Sequence, residues 1–505
     1  MLAHADGSSL HSALLSSWDT LCATDRRVLA ACAVFPGSFA LGELEVVLGS
    51  GDLDTIAAVE RLVDGSLVVA DAGRLGLLRP VREGIRAVSI EAGLDEGLVP
   101  RWIGAVITRA EPLFQGFFRW EEDSVVALAA QADDLRLAAR RLGQPDLRLA
   151  CLLAAALRYG GPWSEARDGL EAACAGSDPD ALGLAMLGEY RIRTGAAEAG
   201  LRALGAAIER APTAPLVLAY ANFLRARVLA AMGDRPAAFT AANAAIHHAL
   251  ADGNRGLLAL AHDAAALAIA PAAGLAGVHH HYAAALDAAS GRQHLTLRGL
   301  VGANYGSALG RAGEHGEALI RFAAAQDDLR DSPLRHLRAV VLGNTGLALA
   351  EGGRVRAEPA LAEAAALASR VGDAAGEAQF VGKQGEVRLW CGDVRGARTA
   401  FDRARHLGAA ASLDRRRRAC LAWAEGDLDL AARWADEAVA GGSSDAAGWS
   451  ALFEALRGAP APVVPAGWLG EVVAAVRGLA PWPRFEIGNA ERMWVLSLAR
   501  TLTVA

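Results

Sequence analysis

The chain has 505 residues, 53% hydrophobic, 21% charged and 6% aromatic, with a formal net charge of −7; that length suits several compact domains, or one small domain joined to a long repeat array. Its apolar runs, such as residues 149–157, fall well short of the roughly 20 residues a membrane helix needs, and the first twenty residues carry His4 and Asp6 with no basic residue ahead of an apolar core, so neither membrane insertion nor a secretory signal is expected. Six scattered cysteines without a CxxC pair read as small buried residues in a reducing cytoplasm rather than as disulfides.

Residues 12–92 predict one small unit. A helix is expected over 16–33, with Leu21, Val28 and Leu29 on one face and Thr24 as its cap before Asp25. Phe35-Pro36-Gly37 marks a turn, and two further helices follow over 41–48 and 53–63. Residues 66–70 and 76–78 predict short strands joined by a hairpin turn at Asp71-Ala72-Gly73, and residues 81–91 return to helix. Three helices and a hairpin predict a winged helix. The first hundred residues hold seven arginines against fourteen acids, so the whole net charge of −7 falls there. The third helix, the one a winged helix inserts into DNA, offers Arg61 against Asp54 and Glu60, a poor footprint for a phosphate backbone, and nucleic acid is not expected as a partner.

Residues 93–175 predict a helical connector. From 176 to 441 a glycine-marked turn recurs at Gly195, Gly233, Gly313, Gly353, Gly392 and Gly426, with Gly274 near the middle of the one double interval. Seven residues before each turn glycine stands a small residue: Gly188, Ala226, Gly306, Gly346, Gly385 and Ala419. Five residues after it stands another, namely Gly200, Ala238, Ala318, Ala397 and Ala431, with Glu358 as the exception. Small residues at fixed offsets around a turn let two antiparallel helices approach closely, which predicts helix-turn-helix units stacking into an α-solenoid of about seven repeats. Pro460, Pro462 and Pro465 mark a linker, and residues 442–505 are read as that linker plus a helical cap closing the end of the stack. The expected fold class is therefore all-α with a small β-hairpin wing: an amino-terminal winged helix followed by an α-solenoid.

Several of these stretches resemble known families. Gly-Asp at Gly233, Gly392 and Gly426 matches the tetratricopeptide turn. Residues 33–39, Ala-Val-Phe-Pro-Gly-Ser-Phe, resemble the "avFpGgF" block of bacterial signal-transducing NTPase (STAND) regulators of the AfsR, MalT and LuxR kind, which carry winged-helix and tetratricopeptide segments. Residues 61–68 are similar to their "LvdkSLv" block, residues 77–83 to "LLetvRey", and residues 133–138 in part to "hdNLraAl". The resemblance implies the sensory half of such a regulator without its NTPase domain. No GxxxxGK[ST] phosphate loop occurs, and the one Gly-Lys, Gly382-Lys383, is followed by Gln384 inside a predicted helix. In relatives with an Apaf-like ATPase a histidine reaches the nucleotide from the winged helix; the matching position here is Leu78, which cannot hydrogen-bond a phosphate.

The repeats supply the candidate site. Nine residues before the turn glycines stand Met186, Leu224, Asn304, Asn344, Lys383 and Arg417, a concave position in the tetratricopeptide resemblance. There Asn, Lys and Arg clamp a carboxylate of a bound peptide, and stacked helices would set the last four donors roughly 10 Å apart. Asn304, Asn344, Lys383 and Arg417 are thus the expected partner-binding residues, against the plainer reading that they are solvated. The run 415–418, four consecutive arginines, points in four directions and reads as a solvated helix start. Histidines cluster at 247–248 and 279–281, at turn offsets that should keep the two groups apart, so no metal site is expected. No motif places a catalytic set or a cofactor. The expected function is a non-enzymatic scaffold or sensor in signalling or transcriptional control, binding a protein or peptide, with no membrane partner. Two alternatives stay open: a sensor working with an ATPase on another chain, and a receptor for a small-molecule inducer.

Overall fold

The computed structural model describes residues 7–49, 54–94, 96–159, 161–176, 178–269, 275–332, 335–351, 357–371, 374–409, 411–441, 446–458, 468–483 and 490–504. The amino-terminal elements are α1 (Gly7–Thr20), α2 (Ala23–Val34), α3 (Leu41–Leu48), α4 (Thr55–Asp64), β1 (Val69–Asp71), β2 (Arg74–Gly76) and α5 (Arg79–Glu91). Then come α6 (Leu98–Phe118), α7 (Glu122–Ala129), α8 (Ala132–Leu142), α9 (Leu147–Leu157) and α10 (Trp163–Gly176). The pair α11 (Ala181–Arg193) and α12 (Ala197–Arg210) follows, then α13 (Pro215–Ala231), α14 (Arg235–Asp252), α15 (Arg255–Ala268) and α16 (Leu275–Ala288). After a short 3-10 turn the pattern continues with α17 (Leu295–Arg311) and α18 (His315–Asp328), α19 (Arg335–Glu351) and α20 (Ala357–Val371). It ends with α21 (Ala374–Trp390) and α22 (Val394–His406), α23 (Ala411–Ala424) and α24 (Leu428–Ala440), then α25 (Ala446–Leu456), α26 (Trp468–Val476) and α27 (Ala490–Val504). The chain forms two compact units, Met1–Val228 with His247–Leu257, and Leu229–Ile246 with Leu258–Ala505. It is an all-α protein of paired helices with one two-stranded hairpin among its described residues.

Three details of the amino-terminal region differ from expectation. The helix expected over 16–33 breaks at residues 21–22: Cys22 is extended and its Sγ accepts from the Asp25 N–H at 3.4 Å, so Cys22, not Thr24, caps α2. Capping by Cys22 leaves the Asp25 carboxylate free to take a two-pronged bond from Arg61, at 2.6 and 3.1 Å. The hairpin sits later in its first strand and earlier in its second. Residues 65–68 close α4 instead of extending the strand, with the Leu67 and Val68 N–H groups both donated to the Leu62 carbonyl. The turn is the pair Ala72 and Gly73, both at positive φ (46° and 77°), the geometry whose twist matches a two-residue hairpin. Phe39 pairs with Leu75 beside this hairpin and stacks on Phe35 at 4.2 Å, so the Phe-Pro-Gly block ties α2 to the sheet.

The repeat turns form as their residues dictate. Gly195, Gly233, Gly313, Gly392 and Gly426 all adopt φ between 84° and 90°. At each, the N–H of the next residue bonds back five residues, as from Asp393 to the Arg388 carbonyl and from Asp427 to that of Ala422, the Schellman closure of a helix end. The aspartate then caps the following helix, Asp393 accepting from Gly396 N–H at 2.9 Å and Asp427 from Leu430 N–H at 2.9 Å. That double duty explains the Gly-Asp spelling. Gly274 and Gly353 lie outside the described residues.

The small residues meet across the hairpins. A Cβ on Gly200 would stand 2.8 Å from the Gly188 carbonyl oxygen, and one on Gly306 would stand 2.8 Å from the Phe322 ring. The exception resolves: Ala357, one residue earlier, takes the buried position, and Glu358 turns outward to accept from Arg388. The spacing from Gly346 to Ala357 is one residue shorter than from Gly306 to Ala318.

Candidate functional site

Asn304, Asn344, Lys383 and Arg417 stand on α17, α19, α21 and α23, the first helices of successive hairpins in the second unit. Their surroundings divide them. Asn304 and Asn344 line one cavity of about 370 Å³, with Ser307, Arg311, Gln379 and Phe322 also in its wall. The Asn304 amide donates to both oxygens of the buried Asp263, at 3.0 and 3.1 Å. The Asn344 amide donates to Ser307 Oγ at 3.1 Å, and that hydroxyl donates to the Ala303 carbonyl at 2.9 Å. Both amides are therefore held by their nitrogen, which leaves their carbonyl oxygens for a ligand's N–H groups. The rim adds a cation, exposed Arg311.

Lys383 and Arg417 belong to a different arrangement. Both converge on Glu386: Lys383 Nζ lies 2.8 Å from one carboxylate oxygen, and Arg417 Nε lies 3.0 Å from the other, with Arg416 at 3.3 Å. Glu386 is 5% exposed and Arg417 2%. Burial alone would raise the Glu386 pKa; Lys383, Arg416 and Arg417 overcome it and hold the carboxyl far below the ordinary range. The arginine run is thus not a solvated helix start. Arg415 lies 3.9 Å from Glu437, Arg416 and Arg417 share Glu386, and Arg418 bonds Asp414 at 2.8 Å while lying over the Trp434 ring. The position nine before the turn is also buried at Met186 and Leu224, so with Arg417 it is an inter-helix position in three of its six occurrences and half-buried at Asn304, Asn344 and Lys383.

Helix α27 also departs from expectation. Besides packing on α25 and α26 it touches α19 and α21, and its Glu491 lies 3.9 Å from Arg416. Trp494 packs edge-on to Trp423 at 5.3 Å, and Val495, Leu496 and Ala499 are buried. The last helix is therefore part of this unit's core and reaches first helices, beyond a lid on the final hairpin. The expected linker prolines lie outside the described residues.

The first unit holds a counterpart of the Glu386 cluster. Glu189, 2% exposed, lies 3.2 Å from Arg158 and 2.8 Å from Arg193, and accepts from the Tyr220 hydroxyl. Burial would raise its pKa; Arg158 and Arg193 with the Tyr220 bond bring it down to about 2. The Arg158 guanidinium is walled by the rings of Phe117 and Trp120 at 4.8 and 5.3 Å. Each cluster holds more cations than acids, three around Glu386 and two around Glu189, but those cations are held by the buried carboxylate, which suits fold specification better than ligand capture.

The histidines contain a pairing the sequence reading missed. His262 on α15 faces His281 on α16, with their Nδ1 atoms 3.0 Å apart. Burial first, then His281 and His280, lowers His262 to about 4; burial and His280 lower His281. Among the described residues no group of three His, Cys, Asp or Glu converges as for a metal ion, and no helix is long and apolar enough to cross a membrane. All six cysteines are unpaired; Cys32, Cys151 and Cys420 are buried as expected, while Cys22 and Cys391 are exposed. On α4 the Arg61 guanidinium is committed to Asp25, and Leu78 stands exposed beyond the hairpin.

No protein-family model and no curated protein matches the chain. Solved structures with a similar course of helices include a Signal Transduction ATPase with Numerous Domains protein with a tetratricopeptide repeat sensor from Pyrococcus horikoshii. It is 13% identical, with TM-score 0.42, over 91% of this chain and 63% of that one. A Rap protein complexed with competence and sporulation factor is 14% identical, with TM-score 0.47, over 70% of this chain and 95% of that one. A tetratricopeptide repeat protein from Parabacteroides merdae is 13% identical, with TM-score 0.30, over 61% and 98%. This chain spans less than two thirds of the Pyrococcus protein's length.

Proposed function

We propose that this chain is a non-enzymatic recognition module that seats an extended peptide or protein segment in the cavity walled by α17 and α19. One observation carries the reading: Asn304 and Asn344, equivalent residues of successive hairpins, line a single cavity with their amide nitrogens already held and exposed Arg311 beside them. Two amide oxygens one repeat apart suit the N–H groups of an extended backbone, and a guanidinium suits a carboxylate. The polar lining favours a peptide over an apolar inducer. Lys383 and Arg417 enter this reading as support, since Glu386 already holds them.

A role in signalling or transcriptional control in the cytoplasm rests on the STAND-like blocks at 33–39, 61–68 and 77–83, and on the unpaired cysteines. In this reading residues 12–92 are a winged helix acting as a spacer, because its one candidate DNA-reading arginine is bonded to Asp25. The test is affinity purification of the tagged chain from its native cytosol with and without ATP, alongside a variant carrying Asn304→Ala, Asn344→Ala and Arg311→Glu. A partner captured by the parent chain and lost from the variant supports the cavity; an ATPase among the captured chains makes this the sensor of a two-chain regulator. A partner held equally by both chains refutes the cavity assignment.

A further inference from the structure

Six of the twelve histidines fall within 35 residues, at positions 247, 248, 262, 279, 280 and 281. The fold turns part of that density into a facing pair. α15 presents His262 and α16 presents His281, half-buried, with Nδ1 to Nδ1 at 3.0 Å and ring centroids 5.3 Å apart. Phe239 stands edge-on to His281 at 5.9 Å, and His280 lies beside it at 5.2 Å. The neighbouring acid, Asp263, is taken by Asn304.

Two imidazole nitrogens that approach this closely either share a proton or share a metal. At imidazole–metal distances of about 2.0–2.1 Å, a 3.0 Å separation subtends about 91–97° at the ion; a tetrahedral site would need about 3.3–3.4 Å. A right-angled nitrogen pair is the preference of tetragonal Cu2+ and of Ni2+, and Cu2+ heads the affinity order for nitrogen sites. The geometry points to a two-histidine chelate for a tetragonal divalent metal, Cu2+ above Ni2+, formed by His262 and His281 with water completing the shell. Each ring would turn its Nδ1 lone pair to the ion and keep its proton on Nε2. The ion would bridge α15 to α16 and fasten that hairpin.

The experiment titrates the full chain with Cu2+ alone, in a His4→Gln background that removes the amino-terminal histidine, and reads electron paramagnetic resonance and calorimetry. The expected result is one Cu2+ per chain, with coupling to two ring nitrogens, and at least about tenfold weaker binding in His262→Gln and in His281→Gln. A His247→Gln, His248→Gln chain should bind as the parent does. Binding that survives undiminished in the His262→Gln, His281→Gln double variant overturns the assignment, as does a parent spectrum without nitrogen coupling. If the variants fail to fold by circular dichroism, the parent spectrum decides alone.

Discussion

Replacing Glu386 by Gln removes the acid on which Lys383, Arg416 and Arg417 converge while leaving its volume. Lys383 and Arg416 are partly wet and can turn to solvent, but Arg417 is 2% exposed and cannot. Stranding one charge of a buried pair costs about 3–5 kcal/mol. In a unit of more than about 200 residues each kcal/mol lowers the melting temperature by roughly 2–4 °C, so a fall of about 6–20 °C is expected by calorimetry. Arg417→Met in the same chain should recover much of that loss, because it removes the stranded charge. Glu425→Gln, whose partner Arg398 is exposed, should cost less than about 1 kcal/mol. The Glu386 carboxyl is held below its ordinary value of 4.5, so its contribution is complete above about pH 4.5 and fades as the pH falls toward the lowered value. A Glu386→Gln chain melting within about 3 °C of the parent, or one that Arg417→Met leaves unimproved, would refute the reasoning.

Further outcomes follow from the same geometry. Gly306→Ala puts a methyl 2.8 Å from Phe322 and should destabilise by about 1–3 kcal/mol, whereas Gly310→Ala meets nothing within 4 Å and should stabilise by roughly 0.5–1 kcal/mol, both read in urea melts. Ala72 holds φ 46° in the hairpin turn, so Ala72→Gly should raise stability by about 1 kcal/mol, seen as a higher urea midpoint. His262 is lowered to about 4, so its stabilising share is complete above about pH 6.5 and is lost as the pH falls through about 4; His262→Gln should flatten that limb of a melting-temperature profile. Glu189, lowered to about 2, acts lower still, from about pH 4.5 downward, and Glu189→Gln should remove that dependence.

The repeat was legible because its constraints are local. A turn glycine at positive φ, an aspartate that caps the next helix and two small residues twelve apart all fall within one hairpin, so each leaves its mark in a short window. Glu358 looked like a lapse because counting from Gly353 ignored a shortened spacing that only packing shows. The charge clusters were hidden for the opposite reason. Arg158 to Glu189, Glu189 to Tyr220 and Glu386 to Arg417 are each 31 residues apart, a separation between successive first helices that no single-helix pattern contains. An acid and a base 31 apart on predicted first helices is the signal that would have found them. His262 escaped notice because it stands alone in sequence, while attention went to the adjacent pairs. Of the four expected site residues, the sequence could rank their chemistry but not their neighbours, and neighbours separate the two asparagines from the two cations.

Helix α27 changes what the second unit can offer a visitor. Fifteen residues at about 1.5 Å each make a rod of about 22 Å, and this one is spent on the chain itself. Where Glu491 stands near Arg416, the protein already supplies the acidic side chain that a guest would bring. A guest arriving there would have to evict a tenant whose Val495 and Ala499 are buried in the core. In the peptide-binding reading proposed above, the unit's own last helix therefore limits how far a bound strand could extend toward α21 and α23.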